Sequence, residues 1–316
     1  MTMTAEQSTG ERLMQAHAAI PTWFGIGGRA DRLVTPESVS GLVGVLGREG
    51  RVRVLGEGAN LLVDDDGVDG VVLSLRSPAF KGYEIDPATG RVRVGAGTDL
   101  AKLIHTTTKA GLAGLEGLGG VPATVGGALV MNAGGKYGEI SSVVSVVRGL
   151  NGRGEAVERH RDQIAFSYRY SGLSELVITE AELTLTPGDP MALRERYKAV
   201  MEDKSKCQPL KENSAGCVWK NPVLLADIDG IGPKGARVSA GMLIDRAGLK
   251  GLACGSASVS AVHANFVVTA KGGEGKAGDV VRLMREVRRR VMDRYGVRLE
   301  PEVVIWSRRG DGLDAV

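Results

Sequence analysis

The stretch Gly117-Leu118-Gly119-Gly120-Val121-Pro122-Ala123-Thr124-Val125-Gly126-Gly127-Ala128, continuing to Met131-Asn132-Ala133-Gly134-Gly135, decides the reading of this chain. Ten of the nineteen residues from 117 to 135 are glycine or alanine, so little side chain separates the backbone from its surroundings. Glycine reaches positive φ and permits close approach, at a cost in conformational entropy. Such a stretch makes sense where the backbone itself makes the contact. Successive N–H groups form anion-binding nests, which points to a long ligand carrying phosphates. A single Gly-Gly would read instead as a tight turn between packed elements. Two further clusters, Gly25-Ile26-Gly27-Gly28 and Gly56-Glu57-Gly58-Ala59-Asn60, tip the balance toward the ligand.

Outward from that stretch, the pattern is α+β. Residues 13–20 read as a short helix. Residues 36–50 form a second, with Val39, Leu42, Val43 and Leu46 at helical spacing on one face. Strands follow at 52–55 and 71–75. From residue 82 to about 186 strands dominate, at 92–94, 143–147, 156–158 and 180–185. One helix, 99–110, interrupts them, with Asp99 as its capping residue and Gly111 as its stop. A connecting helix covers 190–206, and 240–244 is helical. A strand spans 265–269, a long helix 277–295 and a last strand 299–305. On the long helix Val280, Met284, Val287, Val291 and Tyr295 make the inner stripe, and its arginines the solvated side.

The Gly56–Asn60 turn follows a strand, as a Rossmann-type fingerprint would. Leu61 stands where its third glycine belongs and no helix follows, so that fold is disfavoured. Taken together, the three glycine clusters suggest a long cofactor held largely by backbone groups from several loops.

Composition narrows the classes. The chain has 316 residues, enough for two or three domains, and its 46 glycines are about twice the usual share. A net charge of +3 is too small to argue for nucleic acid, and it suits an anionic small molecule. No apolar run reaches the roughly 18 residues of a membrane span. Residues 1–12 lack the basic-then-apolar order of a signal peptide, so a cytoplasmic protein is expected. Cys207, Cys217 and Cys254 form no CxxC pair, and the four histidines are scattered. Neither a disulfide framework nor a metal site is expected.

Three places carry candidate chemistry. In Phe166-Ser167-Tyr168-Arg169-Tyr170-Ser171, Arg169 can offer a carboxylate or phosphate a bidentate fork. It reads equally well as a buried arginine paired with a core acid. Ala215-Gly216-Cys217-Val218-Trp219-Lys220-Asn221-Pro222 joins a thiol, a cation and an amide. A thiol of ordinary pKa, about 8.5, is protonated near neutrality and can act as a general acid. Cysteine is also often buried as a small hydrophobe. Glu302, at the start of the last strand, can face a site or lie exposed at a strand end.

In this order the pieces resemble the UDP-N-acetylenolpyruvoylglucosamine reductase family. The likeness runs from about Thr22 to Ile305, through residues 23–30, 56–63, 117–140, 166–171, 215–222, 240–251, 258–268 and 299–303. It implies non-covalent FAD in the two-lobed FAD-binding fold of the vanillyl-alcohol-oxidase-like (PCMH) type. The lobes would be 1–80, with 299–316 returning to it, and 81–199, and a C-terminal α+β substrate domain would cover 200–298. The short interval between Leu185 and Cys207 resembles the shorter form of the family. NADPH would reduce FAD. The reduced flavin would then send a hydride to the enolpyruvyl carbon distal to the carboxylate.

By position in the motifs, the resemblance makes Arg169, Cys217 and Glu302 catalytic, with Cys217 the proton donor. Tyr168, Lys220 and Asn221 would bind the UDP-sugar substrate. Glu57, Gly58, Ala59, Asn60, Thr124, Gly126, Gly127 and Asn132 would bind FAD. Three departures from the family stand out: Cys217 replaces its usual serine, Ala123 a common glycine and Thr269 a frequent asparagine. An accessible Cys217 thiol would also be open to oxidative inactivation. Two other readings remain at this stage. One is a flavin oxidase of the same fold, although no histidine in the glycine-rich segments offers a covalent flavin attachment. The other is a non-catalytic flavin- or sugar-nucleotide-binding protein.

Overall fold

A computed structural model of the chain describes residues 6–8, 12–49, 52–269 and 274–316. It divides into two compact units, each with its own hydrophobic core. The first takes the described residues up to Ala18, then Ala30–Glu57 and Gly70–Lys206. The second takes Ala19–Arg29, Gly58–Asp69 and the described residues of Cys207–Val316. The reading of residues 1–12 as lacking a signal peptide falls largely outside the described residues.

One five-stranded sheet of the first unit runs in the order Ala156–His160, Val144–Leu150, Val177–Thr184, Arg91–Gly95, Tyr83–Asp86, every pair antiparallel. Alternation along Arg91–Gly95 buries Val92 and Val94 and exposes Arg91 and Arg93, as the two-residue period of a strand requires. The exposed face is an ion-pair ladder. Arg91 meets Glu182 at 2.6 Å and Arg93 meets Glu180 at 2.7 Å. Arg148 reaches both Glu158 and Glu182 at 2.6 Å. Burial alone would raise the Glu182 pKa, but Arg148 and Arg91 hold it below the usual carboxylate range. A second five-stranded sheet orders Glu6–Ser8, Arg12–Ala19, Arg29–Pro36, Val68–Ser74 and Val52–Leu55, the last pair parallel.

The helix Leu100–Lys109 forms as its sequence predicts. Asp99 accepts the Lys102 N–H at 2.9 Å, and Leu100, Leu103, Ile104 and Thr107 are buried. The stretch 117–135 becomes a 3-10 turn, Glu116–Leu118, and a short helix, Val125–Val130.

In the second unit the helix Ala277–Tyr295 buries Val280, Met284, Val287 and Val291, each contributing about 1.5–3 kcal/mol. Asp65 caps it, accepting from Ala277 N at 2.8 Å and Gly278 N at 3.0 Å. Gly296, at φ +66°, ends it. The arginines of its polar side are paired. Arg282 meets Asp279, Arg289 and Arg290 meet Glu286, and Arg288 meets Asp314. Ala253–Cys254, Ala257–Val259 and Val267–Thr269 form an antiparallel meander. Leu61–Val63 pairs in parallel with Val304–Trp306.

Several elements differ from their sequence reading. Residues 13–20 are not a helix: Arg12–Ala19 is a strand, with Gln15 opposite Glu6 and Leu13 opposite Ser8. Leu, Met, Gln and Ala favour helix locally, but pairing partners override that preference. The helix expected over 36–50 is Val39–Glu49, and it buries Gly41, Leu42, Val45 and Leu46. Val39 and Val43 face outward, because both stripes are equally apolar and only the tertiary neighbours choose between them. The strands expected at 265–269 and 299–305 shrink to Val267–Thr269 and Val304–Trp306. Asn265 lies in a turn, and Pro301 has no N–H for a ladder.

Candidate functional site

The site residues expected from sequence fall into both units, and each group is built separately. The first unit holds Glu57, Thr124, Gly126, Gly127, Asn132, Tyr168 and Arg169. Thr124 caps the helix Val125–Val130, its Oγ1 accepting from Gly127 N at 3.1 Å. The strip is stitched to its neighbour by Val125 N to Thr98 O at 2.9 Å, Gly126 N to Ala96 O at 2.8 Å and Leu100 N to Ala123 O at 2.9 Å. The helix's first donors are therefore bonded to protein. A Cβ added at Gly126 would lie 3.0 Å from the Ala96 Cβ, whereas one at Gly127 would meet only Thr124 Oγ1 at 3.3 Å. Gly126 is small for packing. Gly127 is small on a side open to a ligand.

Glu57 pairs with Arg76 at 3.5 Å. Tyr168 and Arg169 are the two central residues of a tight turn, closed by Ser167 N to Tyr170 O at 2.9 Å and Tyr170 N to Ser167 O at 3.1 Å. Arg169 has φ +56°. Its Nη1 donates to Gly134 O at 2.8 Å, and its guanidinium lies 5.4 Å from the Tyr168 ring centre. Asn132 is buried, at φ +42°, with its carboxamide bonded to Ser167 O and Ser141 N.

The second unit brings together Gly58, Ala59, Asn60, Cys217, Lys220, Asn221 and Glu302. Gly58 has φ +69°, and a side chain there would collide with the Pro21 carbonyl oxygen. Its glycine is thus demanded by the crossing of residues 21–23, whose Trp23 N donates to Gly58 O at 3.1 Å. Among the described residues, no acceptor meets the backbone N–H groups of residues 57–60. A run of unspent donors around a left-handed residue is the pattern of an anion nest. It fits the diphosphate of a dinucleotide.

The Cys217 segment lies between two others. On one side Cys217 bridges Phe266 and Val218 N donates to Asn265 O at 2.9 Å. On the other, Trp219 bridges Pro301 and Lys220 N donates to Glu300 O at 2.9 Å. The N–H groups of Glu302 and Val303 both point at Val218 O, at 2.8 and 3.5 Å, which is a bulge. Val218 and Val303 are buried and face the core. Their chain neighbours Cys217 and Glu302 are half-buried, on segments that this pairing brings side by side. Asn60 Nδ2 donates to Glu302 O at 3.1 Å and holds that backbone. Asn221 Oδ1 accepts from Ala240 N at 3.0 Å, at the start of the helix Ala240–Arg246.

One residue was missed by sequence reasoning. Asn265, 3% exposed, accepts from Trp219 N at 3.0 Å through Oδ1 and donates to Trp219 O at 2.8 Å through Nδ2. It clamps the backbone two residues beyond Cys217. The only signal in the sequence is a polar residue enclosed between Ala264 and Phe266.

Among the described residues, no helix is long and apolar enough to cross a membrane. Two family models match the chain: "UDP-N-acetylenolpyruvoylglucosamine reductase, C-terminal domain" over residues 208–306, and "FAD binding domain" over 30–159. The UDP-N-acetylenolpyruvoylglucosamine reductase of Desulfosudis oleivorans is 40% identical over 298 residues, covering 90% of this chain and 91% of that one. Its namesake from Synechococcus sp. (strain WH7803) is 38% identical, covering 95% of each chain. The crystal structure of UDP-N-acetylenolpyruvylglucosamine reductase from Thermus caldophilus superposes with a TM-score of 0.76 at 38% identity. It covers 90% of this chain and 96% of that one.

Proposed function

This chain belongs to the UDP-N-acetylenolpyruvoylglucosamine reductase family, and from that premise we propose that Arg169, Cys217 and Glu302 carry its reaction. The fold is the two-lobed FAD-binding type with a C-terminal α+β domain. The activity is the FAD-dependent reduction of UDP-N-acetylenolpyruvoylglucosamine in peptidoglycan precursor synthesis. When bound, FAD supplies the hydride that the enolpyruvyl double bond takes up, with NADPH as the proposed source of electrons.

The chain's own residues do the rest. Arg169 offers its fork to the enolpyruvyl carboxylate, and Tyr168 lies against the guanidinium. Glu302, with Arg169, holds and polarises the enolpyruvyl group as a whole. The Cys217 thiol gives its proton to the carbon bearing the carboxylate, after the hydride has reached the distal carbon, so the double bond gains one hydride and one proton. Lys220 and Asn221 take the UDP portion. The backbone of residues 57–60 holds FAD, Gly127 leaves room for it, and Thr124 and Gly126 fix the segment on which Gly127 stands. In this reading residues 1–80 and 81–199 serve the flavin, residues 200–298 serve the sugar nucleotide, and the enzyme works in the cytoplasm.

The observation that carries the reading is the backbone pairing that brings the Cys217 and Glu302 segments together, Glu302 N donating to Val218 O at 2.8 Å, with both the thiol and the carboxylate residue half-buried. The test is an anaerobic two-step experiment on the holoprotein. NADPH should bleach the flavin band, and the enolpyruvyl substrate should restore it. In Cys217→Ala the bleaching should keep its rate and the recovery should slow by orders of magnitude, while Cys217→Ser should retain much of it. Loss of both steps together in Cys217→Ala would make the thiol structural.

A further inference from the structure

The glycine-rich segment serves a second purpose besides any contact with a cofactor. Three of its residues grip the turn that carries Arg169. Val130 O accepts from Ser171 Oγ at 2.8 Å, Asn132 Nδ2 donates to Ser167 O at 3.0 Å, and Gly134 O accepts from Arg169 Nη1 at 2.8 Å. Residues 130, 132 and 134 thus each meet one residue of that turn, namely 171, 167 and 169.

Asn132 is the centre of this grip. It is 1% exposed, so its side chain faces protein. Its Oδ1 accepts from Ser141 N at 3.3 Å, which fixes the orientation in which Nδ2 meets Ser167. Asparagine tolerates the left-handed backbone it adopts, at φ +42°. Arginine tolerates it less well, yet Arg169 has φ +56°. A long charged residue held in that region persists only where its surroundings over-determine the turn. The two hydrogen bonds closing Ser167–Tyr170 and the grip from 130–134 supply that determination.

We propose that Asn132 is a positioning residue for Arg169, acting through Ser167, rather than a contact of FAD. The proposal rests on the reading of Arg169 as the group that holds the enolpyruvyl carboxylate. It makes the glycine-rich segment the base on which the substrate-binding arginine is aimed. Ser171 shares the task, with its Oγ tied both to Val130 O and to Leu173 N at 3.2 Å.

The test uses the full-length protein with Asn132→Asp, Ser171→Ala, Ser171→Thr and Arg169→Ala. Asn132→Asp keeps the acceptor for Ser141 N and loses the donor to Ser167 O. Four quantities are read: the FAD dissociation constant by fluorescence titration of the apoprotein, the melting temperature, the rate of flavin reduction by NADPH, and the rate of reoxidation by the enolpyruvyl substrate. For Asn132→Asp, FAD affinity and flavin reduction should stay within twofold, and reoxidation should slow about tenfold. Ser171→Ala should slow the same step, and Ser171→Thr, which keeps the hydroxyl, should restore it.

FAD affinity falling tenfold in Asn132→Asp, with both rates dropping together, would make Asn132 a cofactor contact and overturn the proposal. Unchanged reoxidation in Asn132→Asp and Ser171→Ala, with a slow Arg169→Ala, would also overturn it while leaving the role of Arg169 intact. Unchanged reoxidation in Arg169→Ala would instead refute the reading of Arg169 itself. Should Asn132→Asp fail to fold, Asn132→Gly, which tolerates the left-handed backbone and removes both carboxamide bonds, is read in the same way: slow reoxidation with unchanged FAD affinity supports the proposal and tenfold weaker FAD binding overturns it.

Discussion

Replacing Asn265 by alanine removes one carboxamide and orphans two backbone groups. Trp219 is 1% exposed, and its N–H and C=O are bonded to Oδ1 and Nδ2 of Asn265 at 3.0 and 2.8 Å. The bridge to Pro301 uses the groups of Val218 and Lys220 and leaves those of Trp219 untouched. The alanine methyl can bond to neither. Leaving a buried donor or acceptor unsatisfied costs about 1–3 kcal/mol each, so the expected loss is about 4 kcal/mol. That is a melting-temperature drop on the order of 10 °C for a unit of this size.

The protein carries its own reporter for this change. Its three tryptophans, Trp23, Trp219 and Trp306, all belong to the second unit. Urea unfolding followed by tryptophan fluorescence therefore reads that unit directly. The midpoint should fall with an unchanged slope. A loss below about 1 kcal/mol would mean that the Trp219 backbone groups find other partners, and the clamp would then be ornamental.

Three further outcomes can be checked in the same way. Gly58→Ala should destabilise by more than the ~1–2 kcal/mol of a left-handed alanine, because its Cβ would also collide with Pro21 O; a wild-type urea midpoint would show that residues 21–23 give way freely. Asp65→Ala strips the cap from the helix Ala277–Tyr295 and should cost ~1 kcal/mol, read as a lower midpoint by far-ultraviolet circular dichroism; no change would make the cap dispensable. The backbone and side-chain hydrogen bonds from Ser256, with Arg282 beside it, hold the Asp279 carboxyl below its usual value. Its stabilisation is present above the unfolded pKa of about 3.9 and lost as pH falls through the folded value. Asp279→Asn should therefore flatten the loss of stability between pH 5 and pH 3, and an unchanged slope would refute this assignment.

Much of the architecture was legible in the sequence because it is periodic or punctuated. The helix Ala277–Tyr295 announces itself by Val280, Met284, Val287 and Val291, and the helix Leu100–Lys109 by the Asp99 cap. Strand Arg12–Ala19 was not legible. Its residues prefer helix, and what makes it a strand is pairing with Glu6–Ser8. The helix Val39–Glu49 shows a subtler limit, since its existence was plain and its buried face was not.

The candidate site divides along the same line. The order of the glycine clusters, Arg169, Cys217 and Glu302 is a property of the chain alone, and it sufficed for the family, the flavin and the sugar nucleotide. How those residues are held is not. Asn60 holds Glu302 across 242 positions, Asn132 meets Ser167 across 35, and Asn265 meets Trp219 across 46. A lone asparagine leaves no period or spacing to read, because its carboxamide is matched to backbone groups that only folding brings within reach. The sequence by itself determined which chemistry this protein carries. The tertiary structure decided which backbone each reactive group stands on, since buried hydrogen bonds are satisfied in space rather than along the chain.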